Sequence, residues 1–424
     1  MFFVQNMMYH HSITMYDSSF NLVSTISDKV TPSQYGYKKI KGSLNGSPVE
    51  SAATKDGKYI WASNYFMSGE GFSNPGCDTC FGKNYDSSFV YKINTYSHII
   101  ENIVKVGSVP KYLAITPDQK KLLVSNWSSG DVSIIDLSTE KEIKRINTGP
   151  APRGIACDSA STFAYIAVMG SSKIVKVNLL NYETETLVSG VMNPRHLCID
   201  RNYLYASLNG EQAICRINLA DGIMNKLNVG KAPRSMVLSP LYHTLFVDCY
   251  NDSKIAVVDL ATFKIATTIK TNSYPIGICL NNNNKQIWVT CYTGNIEVFA
   301  AEDSKEKRTE SLAVAPIKVK KKADSLALQP KKNIASIVSI EKPAEPKEQA
   351  KGYIVLGSFK VKENAVGLKK TLLEKGIAIE LVNTNKGYTY CAYRVKENKE
   401  ESEKEINRLE ALTGIKGWYS ILQL

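Results

Sequence analysis

Six prolines recur along the first two-thirds of the chain, each leading into a short apolar run: Pro48, Pro110, Pro152, Pro194, Pro233 and Pro275. Their spacings are 62, 42, 42, 39 and 42 residues. An insertion of about 20 residues in the first gap brings it into line with the rest. Within one unit, YLAIT, KLLVSN, DVSIID and EIKRIN read as four short strands, separated by the turn sequences PDQK, SSG and LSTEK. The first strand is apolar and the last is polar, as expected for a blade that runs from a central channel to an outer rim. The repeat therefore predicts an all-β propeller.

Five units carry four strands each, the unit from Pro275 carries three, and MFFVQN, SITMYD and LVSTIS add three more. That is two strands short of seven complete blades. Seven blades with an incompletely closed ring is the expected architecture, the chain beginning inside a blade. Six blades, with the N-terminal strands completing the last one, is the alternative. A start further upstream would supply the joining strands and a signal peptide. MFFVQNMMYHHS itself has neither a basic n-region nor a long apolar core.

The segments KLLVSN, AYIAVMG and TLFVDCY, followed by VSIIDL, IVKVNL and IAVVDL, resemble YVTN-type propeller repeats over roughly residues 1–300. The resemblance implies the fold and says little about function, because propellers host many activities.

The repeat stops after Ala300. Residues 301–350 are rich in Lys, Glu, Ala and Pro without apolar periodicity, and are expected to form a flexible charged linker. From Lys351 a folded pattern returns in the order β-α-β-β-α-β, a small α+β ferredoxin-like unit over 351–424. Ala365, Leu368, Leu372 and Leu373 share one face of its first helix, which Gly376 ends. With YIVLGSF leading into KENAVGLKKTLLEKG, this unit is similar to SPOR domains. The resemblance implies binding of peptidoglycan glycan strands stripped of stem peptides on the open sheet face. Tyr353, Val355, Gly357, Ser358 and Phe359 are the residues that match the SPOR opening strand.

The loop that opens each blade and the loop between its second and third strands lie on one face of a propeller. Lys111, Arg153, Arg195 and Arg234 follow the leading prolines of four successive blades and are expected to ring the channel mouth. They either form a funnel for an anionic ligand or bond carbonyls and aspartates of the neighbouring blade. Asn64, Tyr65, Asn126, Trp127, Tyr250 and Tyr292 come from the second loops of the same face, and His196 follows Arg195. Aromatic faces beside guanidinium groups suit sugars, bases, phosphates and carboxylates. A single histidine there is more often a hydrogen-bonded structural residue than a base.

The insertion FMSGEGFSNPGCDTCFGKNYDSSF is placed to overhang this mouth and holds Cys77 and Cys80 in CxxC spacing. A structural zinc needs four ligands and no second pair is visible. Haem attachment needs a histidine where Phe81 stands. A local disulfide is expected, and no metal or cofactor. Asp136, Asn178, Asn218 and Asp259 share the third-strand exit, where they cap turns.

The net charge of +12 favours anionic partners. No stretch approaches the roughly 20 apolar residues of a membrane span. No nucleophile–base pair, phosphate loop or HExxH motif is present. The expected function is therefore non-catalytic: a periplasmic or envelope-associated scaffold, anchored to peptidoglycan and presenting a propeller face to an anionic ligand or partner protein. A lactonase- or lyase-type propeller enzyme and a nucleic-acid-binding propeller are the competing readings, the last to be recognised by steep salt dependence.

Overall fold

The computed structural model describes residues 1–7, 11–82, 84–281, 283–301 and 319–322, and between 351 and 422 the strands and parts of the helices. The chain divides into two compact units, Met1–Lys332 and Asn333–Leu424.

Among the described residues the first unit contains seven antiparallel sheets in sequence order. Blade 1 is β1 (Phe2–Asn6), β2 (Ser12–Tyr16) and β3 (Leu22–Ser27). Blade 2 is β4 (Pro48–Ala53), β5 (Tyr59–Asn64), β6 (Phe89–Asn94) and β7 (Ile100–Lys105). Blade 3 is β8 (Pro110–Ile115), β9 (Lys121–Asn126), β10 (Asp131–Asp136) and β11 (Lys141–Asn147). Blade 4 is β12 (Pro152–Cys157), β13 (Phe163–Val168), β14 (Lys173–Asn178) and β15 (Thr184–Ser189). Blade 5 is β16 (Pro194–Asp200), β17 (Tyr203–Leu208), β18 (Ala213–Asn218) and β19 (Met224–Asn228). Blade 6 is β20 (Pro233–Ser239), β21 (Thr244–Cys249), β22 (Lys254–Asp259) and β23 (Lys264–Lys270). Blade 7 is β24 (Pro275–Leu280), β25 (Gln286–Cys291), β26 (Ile296–Ala301) and β27 (Val319–Lys322). The N-terminal strands form a sheet of their own, so the ring has seven blades and the six-blade alternative falls away.

Register identifies which strand blade 1 does without. In blades 2 to 6 the first and second strands slip register after the leading proline, as at Pro110/Leu113. The second and third strands pair without a slip, as β9 and β10 do. Third and fourth strands slip again in several blades, as at Ile134/Ile135. The pair β1–β2 has no slip, and β2–β3 slips at Met15/Tyr16. Blade 1 thus supplies the second, third and fourth strands, and among the described residues it contributes no strand to the inner wall.

Blade 7 gains an outer strand that the sequence reading missed. β27 pairs with β26 from Val319 to Lys322, inside the stretch expected to be linker. Its sequence VKKK carries no alternation, and lysine-rich outermost strands rely on backbone pairing while their charge guards the edge. The other linker residues, 302–318 and 323–350, lie outside the described residues.

Blades 7 and 1 meet through side chains. Phe2 stacks on Trp288 with ring centroids 3.7 Å apart. Tyr16, Ile296 and Val298 complete that cluster. Elsewhere each core lies between adjacent blades, such as Leu123, Val132 and Ile134 of blade 3 against Ile155, Ile166 and Val175 of blade 4. The turn caps are as expected: Asp136 Oδ1 accepts from the backbone amides of Ser138 and Thr139, both at 2.9 Å.

The second unit is a four-stranded sheet in the order β29 (Glu380–Asn383), β30 (Thr389–Arg394), β28 (Lys351–Phe359), β31 (Trp418–Leu422). With described helical residues at 365–366, 368–369 and 372–373 and at 405–406 and 408–410, this is the split βαβ arrangement of a ferredoxin-like fold. Ile354, Leu356, Ala365, Leu372 and Leu409 form its core. Leu373, expected on the same helix face, is exposed.

Candidate functional site

The channel mouth is built by a repeated backbone device. At five blade openings the residue before the proline has a positive φ, between 49° and 62°: Val109, Ala151, Asn193, Ala232 and Tyr274. Its carbonyl accepts from the residue that follows the second strand, Trp127 to Val109 at 2.9 Å, Tyr250 to Ala232 at 3.2 Å and Tyr292 to Tyr274 at 2.8 Å. This hydrogen bond fastens the two loops of each blade together and puts them on one face. The chain enters the inner strand at the proline, and the next residue is Lys111, Arg153, Arg195 or Arg234.

Second-strand serines then fix the carbonyls of these cations. Ser63 donates to Lys111 O at 3.0 Å, Ser125 to Arg153 O at 2.7 Å and Ser207 to Arg234 O at 2.7 Å. Blade 6 carries Asp248 in this register. Both of its carboxyl oxygens are buried without a hydrogen-bond partner, and burial pushes its pKa well above the ordinary value.

The four cations share one electrostatic neighbourhood. Burial lowers Lys111 to about 8, the charge of Arg153 adds to this, and Asp78 opposes it. Burial likewise penalises the charge on Arg195, with Arg153 and Arg234 adding repulsion. Arginine stays protonated in proteins, so this penalty remains in the free molecule as a cost that an anion would relieve. Arg153 pairs with Glu50 of β4 at 3.1 Å, and Lys111 pairs with Asp78. Arg195 has no hydrogen-bond or ion-pair partner among the described residues. Arg234 lies over the Tyr250 ring at 3.5 Å and has no acidic partner there. Nη1 of Arg153 and Nε of Arg234 are buried without hydrogen bonds.

Other residues expected at the mouth divide into three groups. Asn64 and Asn126 are completely buried. Asn64 donates to Phe89 O at 3.0 Å and Asn126 to Asp131 Oδ1 at 2.7 Å. They hold the loops that carry the site and present nothing to a ligand, because the last position of the second strand points into the blade. Tyr65 and Trp127 do reach the mouth: both rings lie beside Lys111 Nζ, at 4.5 and 4.9 Å. Tyr250 and Tyr292 reach it on the far side, with ring centroids 6.3 Å apart, and Tyr274 joins them 4.9 Å from Tyr250.

His196 lies beneath the arginines. Its Nε2 is 2.9 Å from the Tyr112 hydroxyl, and burial and the charges of Arg153 and Arg195 hold its pKa at about 3. It is therefore neutral, and its ring is fixed by Tyr112. Gly154 lies where the inner strands of blades 4 and 5 approach; a Cβ there would meet Arg195 O at 2.6 Å and His196 Cα at 2.8 Å.

The insertion closes over one side of the mouth. Cys77 and Cys80 are disulfide-bonded. Between them, Asp78 accepts from Lys111 and from the Tyr65 hydroxyl, the latter at 2.9 Å. Trp127 Nε1 donates to Asp78 O at 3.0 Å and Ser128 Oγ to Cys77 O at 3.1 Å. Burial acts to raise the Asp78 carboxyl, but the charge and hydrogen bond of Lys111 and the phenol of Tyr65 outweigh it and hold the group below its usual value. Sequence reading missed Glu50, Asp78 and Tyr274. Glu50 stands two places after a leading proline, the register of His196, and Asp78 lies inside the CxxC, so both positions carried a signal.

In the second unit, Val355 is fully buried with Val382 and Ala392 on the sheet face away from the helices. It supports that face and offers no surface to a glycan. Gly357, Ser358 and Phe359 pair with Cys391, Tyr390 and Thr389, and Tyr353 with Arg394 and Ser420. The side chains of Tyr353, Ser358 and Phe359 lie outside the described residues. Among the described residues no group of three or more His, Cys, Asp or Glu is placed to hold a metal ion. No described helix is long and apolar enough to cross a membrane.

No family model matches the chain. Over 43% of its length it is 22% identical to antigen Lp49 of Leptospira interrogans, of which it covers 46%. The chain thus spans about half the length of the curated relative it matches. Among solved structures, a proposed 6-phosphogluconolactonase of Bacteroides uniformis is 12% identical at a TM-score of 0.55, over 75% of this chain and 92% of that one. Hydrazine synthase of Kuenenia stuttgartiensis is 20% identical at a TM-score of 0.50, over 62% and 78%. At these identities the likeness is one of fold, and it agrees with the β-propeller architecture.

Proposed function

We propose that the chain is a non-catalytic binding protein of the bacterial cell envelope, with a propeller mouth that takes an anionic ligand or the acidic group of a partner protein. The observation that carries this reading is the charge imbalance at the mouth. Four clustered cations share two carboxylates, each of which pairs with Lys111 or Arg153, so Arg195 and Arg234, whose planar forks suit oxyanions, are left without an ion pair among the described residues. The C-terminal unit binds denuded peptidoglycan glycan strands in this reading. Support comes from the SPOR-like opening strand at Tyr353–Phe359 and from the ferredoxin-like strand order. The disulfide in the mouth loop is in keeping with an oxidising compartment such as the periplasm.

Two experiments test the two halves. Calorimetric titration of the full chain with inorganic phosphate should show one saturable site that Arg195→Ala removes. Co-sedimentation with denuded sacculi should retain the full chain and residues 333–424, and leave residues 1–332 in solution. Failure of 333–424 to sediment ends the anchoring model. A second reading, a hydrolytic propeller, rests on the place of Lys111 Nζ at the mouth between the Tyr65 and Trp127 rings, where burial pushes the amine down to about 8, within reach of a base's role once Asp78 leaves. A lactone hydrolysis screen at pH 8.5, with Lys111→Met as control, separates the two.

A further inference from the structure

Resting on the anion-site reading, we infer that Asp78 is a built-in competitor for the ligand, and that the ligand is a compact dianion: a phosphate monoester or a short dicarboxylate that displaces Asp78 from Lys111 while engaging Arg195 and Arg234.

The two acids at the mouth are held very differently. Glu50 is part of the inner strand β4 and is fixed by sheet pairing. Asp78 projects from a surface loop, and its side chain is 67% exposed. Its carboxylate is held at the mouth by hydrogen bonds from Lys111 and Tyr65, and its charge acts on Arg153, Arg195 and Arg234 at longer range. Leaving that position returns it to water, and what it gives up is its pairing with Lys111 and Tyr65, which an incoming oxyanion takes over. The loop backbone need not move with it. Its disulfide, the Trp127 and Ser128 hydrogen bonds, and the bond from Gly82 N to Ser128 O at 2.8 Å hold the loop in place. A side-chain rotation of Asp78 is enough to open the site.

Lys111 explains why binding is an exchange. Its side chain is only 11% exposed and lies between the Tyr65 and Trp127 rings. A buried ammonium without a counter-charge is costly, so Asp78 leaves only when another oxyanion arrives. That oxyanion meets Lys111 from the side where Arg153, Arg195 and Arg234 lie. Two unmatched guanidinium charges beyond it call for a second negative charge on the same small molecule. A monoanion that displaced Asp78 would merely replace one carboxylate by another and leave both guanidinium groups unmatched. Tyr250, Tyr274 and Tyr292 border Arg234 on the open side and give the uncharged part of the ligand an aromatic wall.

The test is calorimetry on the full chain at pH 7.5 and low salt, where inorganic phosphate is mostly the dianion and Lys111 is still mostly charged, with inorganic phosphate, malonate and acetate as probes. The variants are Asp78→Asn and the pair Cys77→Ser with Cys80→Ser, each checked for an unchanged melting temperature. Phosphate or malonate should bind the wild type at least tenfold more tightly than acetate, the tighter of the two telling the phosphate source from the dicarboxylate one. Asp78→Asn should tighten that dianion by about tenfold, which corresponds to 1.4 kcal/mol. The double serine variant, with its carboxylate intact on a loosened loop, should tighten it by about threefold and so keeps the inference testable if Asp78→Asn misfolds. Dianion binding that Asp78→Asn leaves unchanged or weakens overturns the competitor and leaves the anion site standing. Equal affinity for acetate overturns the dianion. Absence of binding by all three probes, in wild type and variants alike, brings down the anion-site reading itself.

Discussion

The two sides of the propeller mouth carry a cation, Lys111, Arg153, Arg195 or Arg234, at the same step of the repeat and treat it in opposite ways. On the side of blades 3 and 4, Lys111 and Arg153 each face a carboxylate, Asp78 or Glu50. On the side of blades 5 and 6, Arg195 and Arg234 form no ion pair among the described residues; Glu50 and Asp78 reach Arg195, and Asp78 reaches Arg234, only through longer-range charge, and Arg234 rests on Tyr250. The backbone device is shared, since Val109, Ala151, Asn193 and Ala232 all take the same left-handed conformation before their prolines. The difference lies in what neighbouring loops bring. A repeat therefore places charge reliably, and what compensates the charge comes from residues outside the repeat.

If the open side receives the ligand, its removal should have the largest effect. Arg195→Ala combined with Arg234→Ala should weaken phosphate binding by about a hundredfold or more, since each lost charged hydrogen bond is worth about 1.5–3 kcal/mol. Lys111→Met on the closed side should cost about tenfold, because Asp78 is released at the same time; equal losses on both sides would erase the distinction in calorimetric titration. Gly154→Ala strikes the boundary between the sides. Its methyl group would press on backbone of the fifth blade, and a loss of about 1–3 kcal/mol in denaturant unfolding is expected.

Lys111 gives the closed side a pH signature that the open side lacks. Its value in the folded protein, about 8, lies below its ordinary 10.5. Between those values the unfolded chain holds more protons than the folded one, so its contribution to stability rises with pH through this window. Anion affinity should fall over the same range as the ammonium is lost, by about tenfold from pH 7 to pH 9.5. Opposite slopes in unfolding and in binding would mark one group. The smallest effect belongs to the aromatic wall: Tyr250→Leu should weaken phosphate by about threefold, from a cation–π contact worth about 0.5–1 kcal/mol.

Much of this was legible in the residues. The proline spacing, the four-strand grammar and the placing of Lys111, Arg153, Arg195 and Arg234 on one face follow from periodicity alone. Asn64 and Asn126 were misplaced because a loop position and the last position of a strand look alike in sequence, and one residue of register decides between mouth and core. β27 escaped because VKKK has no pattern and forms by edge pairing with β26. Asp78 escaped because the CxxC drew the reading to its cysteines, while the group that meets Lys111 stands between them. No local pattern pairs residues 33 positions apart.

Anomalous diffraction from crystals of the full chain soaked in millimolar selenate would locate an oxyanion without reference to any assay. The account predicts a peak within hydrogen-bonding reach of Arg195 and Arg234, with the Asp78 side chain turned away from Lys111. An empty mouth, with selenate only on scattered surface lysines and the Asp78–Lys111 pair intact, would contradict it.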